Sequence, residues 1–299
     1  MEIKNIAVVG LGTLGAQIAV QAAAYGYPVR GYDRDPEMFR KTIEKTKGIM
    51  AALRKGPTVP REEWEKAVEK VGIAESLAEA VKDADLVIEA VPEVLELKRK
   101  VFAEIDSLAP GGALIATNSS SIPVSRIEDA TGRPEKCLNI HFYQPAVSFV
   151  LCDIMGGTKT SPDVFDAVRK FIRSLDLIPL TVKKEILGFC FNSIWRAVKK
   201  QALYMWGNGF VDLQDIDRAW ISFTGMPQGP FAMMDMVGLD VVYDIEMSYY
   251  NDSKDPKDMP PRALKDMIDR KELGMKTGKG FYSYPNPDWA RPDFLKGKY

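Results

Sequence analysis

The stretch Ile6-Ala7-Val8-Val9-Gly10-Leu11-Gly12-Thr13-Leu14-Gly15 decides the fold. Its first four residues are an apolar run of strand length, and the run passes directly into GxGxxG. Residues Ala16 to Ala24 continue with helical character, and Val29-Arg30-Gly31-Tyr32-Asp33 reads as a second strand ending in an acid. A GxGxxG alone is a weak signal. Set between strand and helix, with an acid about 20 residues further on, it is the dinucleotide-binding fingerprint. Gly10 allows the tight turn, Gly12 lets the backbone approach a pyrophosphate, and Gly15 permits close packing of helix on strand. The helix N-terminus then offers free N–H groups and a partial positive charge to the phosphates.

Asp33 is placed to accept hydrogen bonds from ribose hydroxyls and to repel a 2′-phosphate, which favours NAD over NADP. Arg34, beside it, either lies over an adenine or faces solvent. Residues 36–70 are strongly charged and helically spaced on both sides of Gly56-Pro57-Thr58-Val59-Pro60, so a helical hairpin is expected after the second strand. Its basic residues, Lys45, Lys47, Arg54 and Lys55, either form a solvated face or meet a phosphorylated ligand.

Further strands are expected at Ala84 to Pro92, Ala113 to Thr117, Cys137 to Phe142 and Phe149 to Met155, with a helix from Leu95 to Leu108. Alternation of strands and helices predicts an α/β fold with a mainly parallel, Rossmann-type sheet covered on both faces. In such sheets functional residues collect at the carboxyl ends of the strands. Asp33, Pro92-Glu93, Asn118-Ser119-Ser120-Ser121 and His141 all fall there. Beyond Glu185 the character changes to helices rich in Met, Trp and Tyr. The expected organisation is therefore a nucleotide-binding domain over residues 1–186 and an all-α C-terminal domain over 187–299.

The chain of 299 residues has 40 Lys+Arg against 41 Asp+Glu, a net charge of -1 that offers no global basic surface to nucleic acid. Hydrophobic residues at 46 % suffice for a sizeable core, so a disordered chain is excluded. Cys137, Cys152 and Cys190 have no metal-type spacing, and no metal site is expected. Met1-Glu2 opens without a basic stretch before an apolar run, and no segment nears ~18 apolar residues, so neither signal peptide nor membrane span is expected. A cytoplasmic location is the corresponding expectation.

A nicotinamide cofactor implies hydride transfer, which at a carbonyl also needs a proton donor tuned near neutrality. Histidine is that side chain, and the sequence has one, His141. Asp153, on the next strand, is the candidate carboxylate to orient it, in the manner of hydrolase triads. Ser120, with Asn118, can donate to a substrate oxygen as charge develops on it.

Taken in order, GLGTLG at Gly10–Gly15, Ala90-Val91-Pro92-Glu93, Asn118-Ser119-Ser120-Ser121, His141-Phe142-Tyr143-Gln144-Pro145, Gly188-Phe189-Cys190-Phe191-Asn192, Gly229-Pro230-Phe231 with Asp235 and Gly238-Leu239-Asp240, and Lys276-Thr277-Gly278-Lys279-Gly280-Phe281-Tyr282 carry a resemblance over nearly the whole chain. The sequence resembles the 3-hydroxyacyl-CoA dehydrogenase family, in its short bacterial 3-hydroxybutyryl-CoA form. The resemblance implies NAD as cofactor, an acyl-CoA substrate and a homodimer formed through the C-terminal helical domain. It implies His141 as acid/base, Asp153 as its partner, and Ser120 and Asn192 as substrate contacts. Cofactor contacts implied are Gly10, Gly12, Thr13, Leu14, Gly15, Asp33, Ala90, Val91, Glu93, Lys98 and Asn118. Arg54 and Lys55 would lie near the CoA phosphates, and Gln144 near the substrate.

Two residues depart from the family pattern. Gln144-Pro145 stands where Asn-Pro is usual, and Asp153 stands where Glu is usual. Losing one methylene shortens the reach by ~1.5 Å. Asp153 is therefore expected to meet the imidazole only if the backbones move closer or a water bridges. The remodelled segment from Tyr143 to Phe149 also leaves open a relative that acts on a free hydroxy acid. A dinucleotide-binding protein with little turnover is the remaining alternative, against which the retention of His141 and Ser120 argues.

Overall fold

The computed structural model describes residues 1–52 and 57–297, so Arg54 and Lys55 lie outside the described residues. The chain divides into two compact units, Met1–Cys190 and Phe191–Tyr299.

The first unit is built on one eight-stranded sheet. In chain order its elements are β1 (Ile6–Val9), α1 (Thr13–Ala24), β2 (Val29–Tyr32), α2 (Met38–Ala52), α3 (Arg61–Lys70), β3 (Val71–Ile73), α4 (Leu77–Val81), β4 (Leu86–Glu89), α5 (Leu95–Leu108), β5 (Leu114–Thr117), β6 (Cys137–Phe142), β7 (Leu151–Gly156), α6 (Pro162–Ser174) and β8 (Ile178–Val182). The strand order is β3-β2-β1-β4-β5-β6-β7-β8. Every neighbouring pair is parallel except β6 with β7, which is antiparallel. This is the expected α/β architecture, with one reversal.

Period-two alternation sorts each strand between the two faces. Ile6, Val8, Leu86, Ile88, Leu138 and Ile140 join a core with Ile18 of α1, Ile43 of α2, Trp64 of α3 and Phe171 of α6. Ala7, Val9, Val87, Ile115 and Cys137 face the other core, with Val81 of α4 and Phe102 of α5. Coverage on both faces explains why the central strands are continuous apolar runs. The two helices expected after the second strand are present as α2 and α3, and they contribute Ile43, Met50, Trp64 and Ala67 to the first core.

Several elements differ from the sequence expectation. Helix α1 starts at Thr13 rather than Ala16, because Gly12 serves as its N-cap. Strand β7 starts at Leu151 rather than Phe149, since Phe149 and Val150 are exposed. The edge strand β3 and strand β8 carry no apolar run strong enough to announce them, as Val71-Gly72-Ile73 and Ile178-Pro179-Leu180-Thr181-Val182 show.

The second unit is helical: α7 (Phe191–Gly207), α8 (Leu213–Thr224), α9 (Pro230–Val237), α10 (Leu239–Ser253) and α11 (Arg262–Asp269). Its core gathers Leu203, Phe231, Met234, Leu239, Val242, Leu264 and Phe281. Two buried carboxylates tie it together. Asp217 accepts from the backbone N–H groups of Phe231 and Ala232 at 2.9 and 3.0 Å and from the Tyr282 hydroxyl at 3.0 Å. Asp235 accepts from the N–H groups of Phe281 and Tyr282, each at 2.9 Å. Burial outweighs these donors and pushes the Asp217 carboxyl up to about 6. Among the described residues no helix is long and apolar enough to cross a membrane.

Candidate active site

Strand β1 lies between β2 and β4 in the sheet. The chain leaves β1 toward β2 and later returns to β4, so the crevice at the carboxyl ends of β1 and β4 is a topological switch point. The glycine turn fills its floor. Gly10 has φ +95, and a Cβ there would sit 2.7 Å from the carbonyl of Ala90. A Cβ on Gly15 would stand 1.8 Å from the Gly10 oxygen, so helix, turn and the loop after β4 are in backbone contact. Gly12 is different. It has an ordinary φ of -63, and a Cβ there would meet nothing within 4 Å.

Neither strain nor crowding inside the protein calls for glycine at position 12, and the backbone there is open to a group approaching from outside. Gly12 caps α1 without a side-chain hydrogen bond, and no acidic residue occupies the first turn. The first N–H groups of α1 therefore meet no carboxylate from their own turn, and they suit a pyrophosphate. Asp33 closes the turn from β2, its Oδ2 accepting from Leu11 N–H at 2.7 Å and its Oδ1 from Asp35 N–H at 2.9 Å. Thr13 is exposed and Leu14 half-buried at the same helix start. These residues fit a dinucleotide. Gly12→Ala is expected to keep the melting temperature and to weaken NADH binding roughly tenfold or more; fluorescence titration and thermal unfolding read the two effects separately.

The loop after β4 carries a second cluster. Glu89, at the end of β4, is fully buried, and its Oε1 accepts from Lys98 Nζ at 2.8 Å and from Val91 N–H at 2.7 Å. Its Oε2 accepts from the Thr117 hydroxyl at 2.7 Å. Burial pushes the Glu89 carboxyl up against the pull of Lys98. Lys98 also donates to the Val91 carbonyl at 3.1 Å and lies 3.3 Å from Glu93 Oε2. Glu93 Oε1 accepts from the hydroxyls of Ser119 and Ser121 at 2.5 and 2.7 Å. Burial alone would raise Glu93, but Ser119, Lys98 and Ser121 together hold it below the usual carboxylate range. Ser120 stands exposed between its two engaged neighbours.

The third group is on β6 and β7. His141 and Asp153 are direct partners in the antiparallel register, so their side chains emerge on the same face. His141 Nδ1 lies 3.3 Å from Asp153 Oδ2, both residues being buried. The shorter acid thus meets the imidazole directly, with no bridging water required. Cross-strand pairing brings Cβ atoms to ~4.5–5.5 Å, close enough for an aspartate to reach. The Phe189 ring stacks on the imidazole at 4.6 Å and 2°. Tyr143 meets the imidazole edge-on at 4.8 Å, and its hydroxyl donates to Asp153 Oδ2 at 2.5 Å. Asn118 Oδ1 accepts from Phe142 N–H at 2.9 Å, tying the end of β5 to the strand end that carries His141. Nδ1 toward the acid leaves Nε2 as the ring nitrogen for a substrate.

The first unit thus carries Gly10, Gly12, Thr13, Leu14, Gly15, Asp33, Ala90, Val91, Glu93, Lys98, Asn118, Ser120, His141 and Asp153 on strands of one sheet, on the turns after them and on helices α1 and α5. Gln144 is exposed in the loop after β6. Asn192 is half-buried in α7 of the second unit. Sequence reading missed Glu89, Thr117, Tyr143 and Phe189. An acid closing the apolar run Leu86-Val87-Ile88 was a signal that a buried partner is needed. Tyr143 lies two residues beyond His141, the strand spacing that repeats one face. Phe189 carried none: it reaches the ring from 48 positions along the chain, at φ +52.

Residues 5–186 match the family model described as 3-hydroxyacyl-CoA dehydrogenase, NAD binding domain, and residues 188–284 match that of the C-terminal domain. The chain is 33 % identical to a 3-hydroxybutyryl-CoA dehydrogenase of Clostridioides difficile, covering 94 % of this chain and 99 % of that one. It is 31 % identical to 5-formyl-3-hydroxy-2-methylpyridine 4-carboxylate 5-dehydrogenase of Mesorhizobium japonicum, over 94 % of this chain and 91 % of the relative. Among solved structures, a diketoreductase described as acting on dicarbonyl compounds has a TM-score of 0.83 and 36 % identity, over 95 % of this chain and 100 % of the other.

Proposed function

The chain belongs to the 3-hydroxyacyl-CoA dehydrogenase family, and from that premise we propose that it interconverts a 3-hydroxyacyl-CoA and its 3-oxoacyl-CoA, with His141 as acid and base. Family membership makes it an NAD-dependent oxidoreductase. The observation that carries the finer reading is the buried His141–Asp153 contact at 3.3 Å, on the same sheet as the glycine turn.

In the oxidising direction His141 Nε2 takes the hydroxyl proton as the C–H bond gives up its hydride. The glycine turn and the start of α1 would hold NAD, which would supply the hydride acceptor. Asp153 stabilises the imidazolium through Nδ1–H, a hydrogen bond that strengthens as charge develops. The Ser120 hydroxyl donates to the reacting oxygen. Asn118 holds the end of β6 in place through Phe142. In the reducing direction His141 returns the proton. Asp33 selects NADH over NADPH by repelling a 2′-phosphate.

A second reading is favoured by a specific observation. Tyr143, Phe189 and, behind Tyr143, Phe149 make the surroundings of His141 aromatic, and two relatives bear the names of a pyridine-carboxylate dehydrogenase and a diketoreductase. The same chemistry then acts on a dicarbonyl or hydroxy compound without CoA. A homodimer through the helical unit belongs to the first reading and is supported by Phe210 and Phe223, 64 % and 94 % exposed there; sedimentation of the purified chain tests it.

The deciding experiment is NADH consumption with acetoacetyl-CoA, free acetoacetate and an aromatic 1,3-dicarbonyl, each repeated with NADPH. Preference for acetoacetyl-CoA is expected. Preference for either CoA-free compound establishes the second reading instead, and equal rates with NADPH would remove Asp33 from cofactor selection.

A further inference from the structure

Asp153 is fully buried and carries more than the histidine. Its Oδ2 is shared between His141 Nδ1 at 3.3 Å and the Tyr143 hydroxyl at 2.5 Å, while its Oδ1 accepts from Cys190 N–H at 3.3 Å. The tyrosine contact is the shortest of the three. An aspartate has a short tether to β7, and rotation about its last bond would swing Oδ2 away from the ring. The tyrosine hydroxyl on Oδ2 and the Cys190 N–H on Oδ1 together fix that rotation, and the second anchor remains when the first is removed. The hydroxyl also withdraws negative charge from the oxygen that faces the imidazole.

We propose that Tyr143 is a positioning residue for the hydride-transfer reaction, acting through Asp153: its hydroxyl aims the short carboxylate at His141 and limits how strongly that carboxylate favours the imidazolium. The inference rests on the reading of His141 as acid and base for its catalytic consequence, but the Tyr143–Asp153–His141 coupling itself stands on geometry alone. Within the first unit, the residues around the ring leave little else to compete. Among the described residues Tyr143 and Asp153 are titratable groups that contact it, and the Phe189 ring stacks on it. Opposite Asp153 on β8 stands Leu180. Cys152, the neighbour on β7, is kept a neutral thiol by burial and by the Asp153 charge. The loop at residue 190 contributes an N–H to the carboxylate.

Removing the hydroxyl leaves the carboxylate with one donor fewer, so it binds the imidazolium more strongly. The sequence holds a single histidine, which makes ¹⁵N NMR of the full chain an unambiguous reporter of that ring. In Tyr143→Phe the titration midpoint of His141 is expected to move up by about half to one pH unit, the worth of one net hydrogen bond. In an Asp153→Asn background, where no charge remains to be shared, the same substitution should move it by little. A midpoint unchanged in Tyr143→Phe, or moved equally in both backgrounds, overturns the proposal.

Turnover separates this from the functional reading. If His141 is the base, the low-pH limb of kcat/KM follows the NMR midpoint upward in Tyr143→Phe while KM for NADH holds. If the NMR midpoint moves and the limb does not, the coupling stands and His141 loses its assigned role.

Discussion

His141→Gln lowers kcat by ~10²–10⁴-fold, the worth of a positioned general acid/base, and leaves NADH affinity within about twofold. The reasoning is spatial. The imidazole sits on β6, stacked on Phe189 and anchored through Nδ1. The groups proposed to bind the dinucleotide belong to the turn after β1 and the start of α1. Glutamine keeps a polar group near Asp153 but cannot exchange a proton near neutrality. Stopped-flow reduction of a 3-oxoacyl-CoA, paired with a fluorescence titration of NADH, separates the two quantities. Full turnover in the variant would take His141 out of the reaction; loss of NADH binding together with turnover would mean the substitution damages the sheet itself.

The second large effect concerns stability. Lys98→Met removes the cation from a pocket where Lys98 is 1 % exposed and Glu89 fully buried. Glu89 then has no charge partner, and Glu93 loses its contact at 3.3 Å. Breaking a buried pair from one side costs about 3–5 kcal/mol, which for a chain of this size lowers Tm by roughly 6–15 °C. Adding Glu89→Gln should restore most of the loss, because the amide can still accept from Val91 N–H and pair with the Thr117 hydroxyl. Thermal unfolding of the two single variants and the double variant gives the coupling directly. An unchanged Tm in Lys98→Met would mean Glu89 simply takes up a proton and needs no lysine.

Much of this was legible because the nucleotide turn is local chemistry. Three glycines, a strand before and an acid after are all read within 28 residues, from Ile6 to Asp33, and each constraint is a matter of backbone space. The placement of functional residues at strand ends was equally legible, since it follows from parallel topology. The antiparallel reversal was not. Nothing in Cys137–Phe142 or Leu151–Gly156 declares strand direction, and the sequence has Asp153, one methylene shorter than the family's usual Glu, meeting the imidazole only through closer backbones or a bridging water. Register closed that gap. Tyr143 and Glu89 escaped for a related reason: a buried polar side chain is recognised by its partners, and Thr117, Lys98 and Asp153 become partners only once the sheet has brought distant strands together.

The antiparallel register has an evolutionary consequence. Because His141 and Asp153 face each other across paired strands, their separation is a property of the sheet and not of the chain that joins them. The exposed positions 144, 149 and 150 can be exchanged while the His141–Asp153 pair keeps its spacing, whereas Ala146 and Val147 between them are buried in the core. The connection carries Gln144 and Phe149 as exposed side chains, with Phe149 6.2 Å from the Tyr143 ring. With His141 and Asp153 acting as proposed, a library randomised at those two positions varies this segment while the acid and base stay in register.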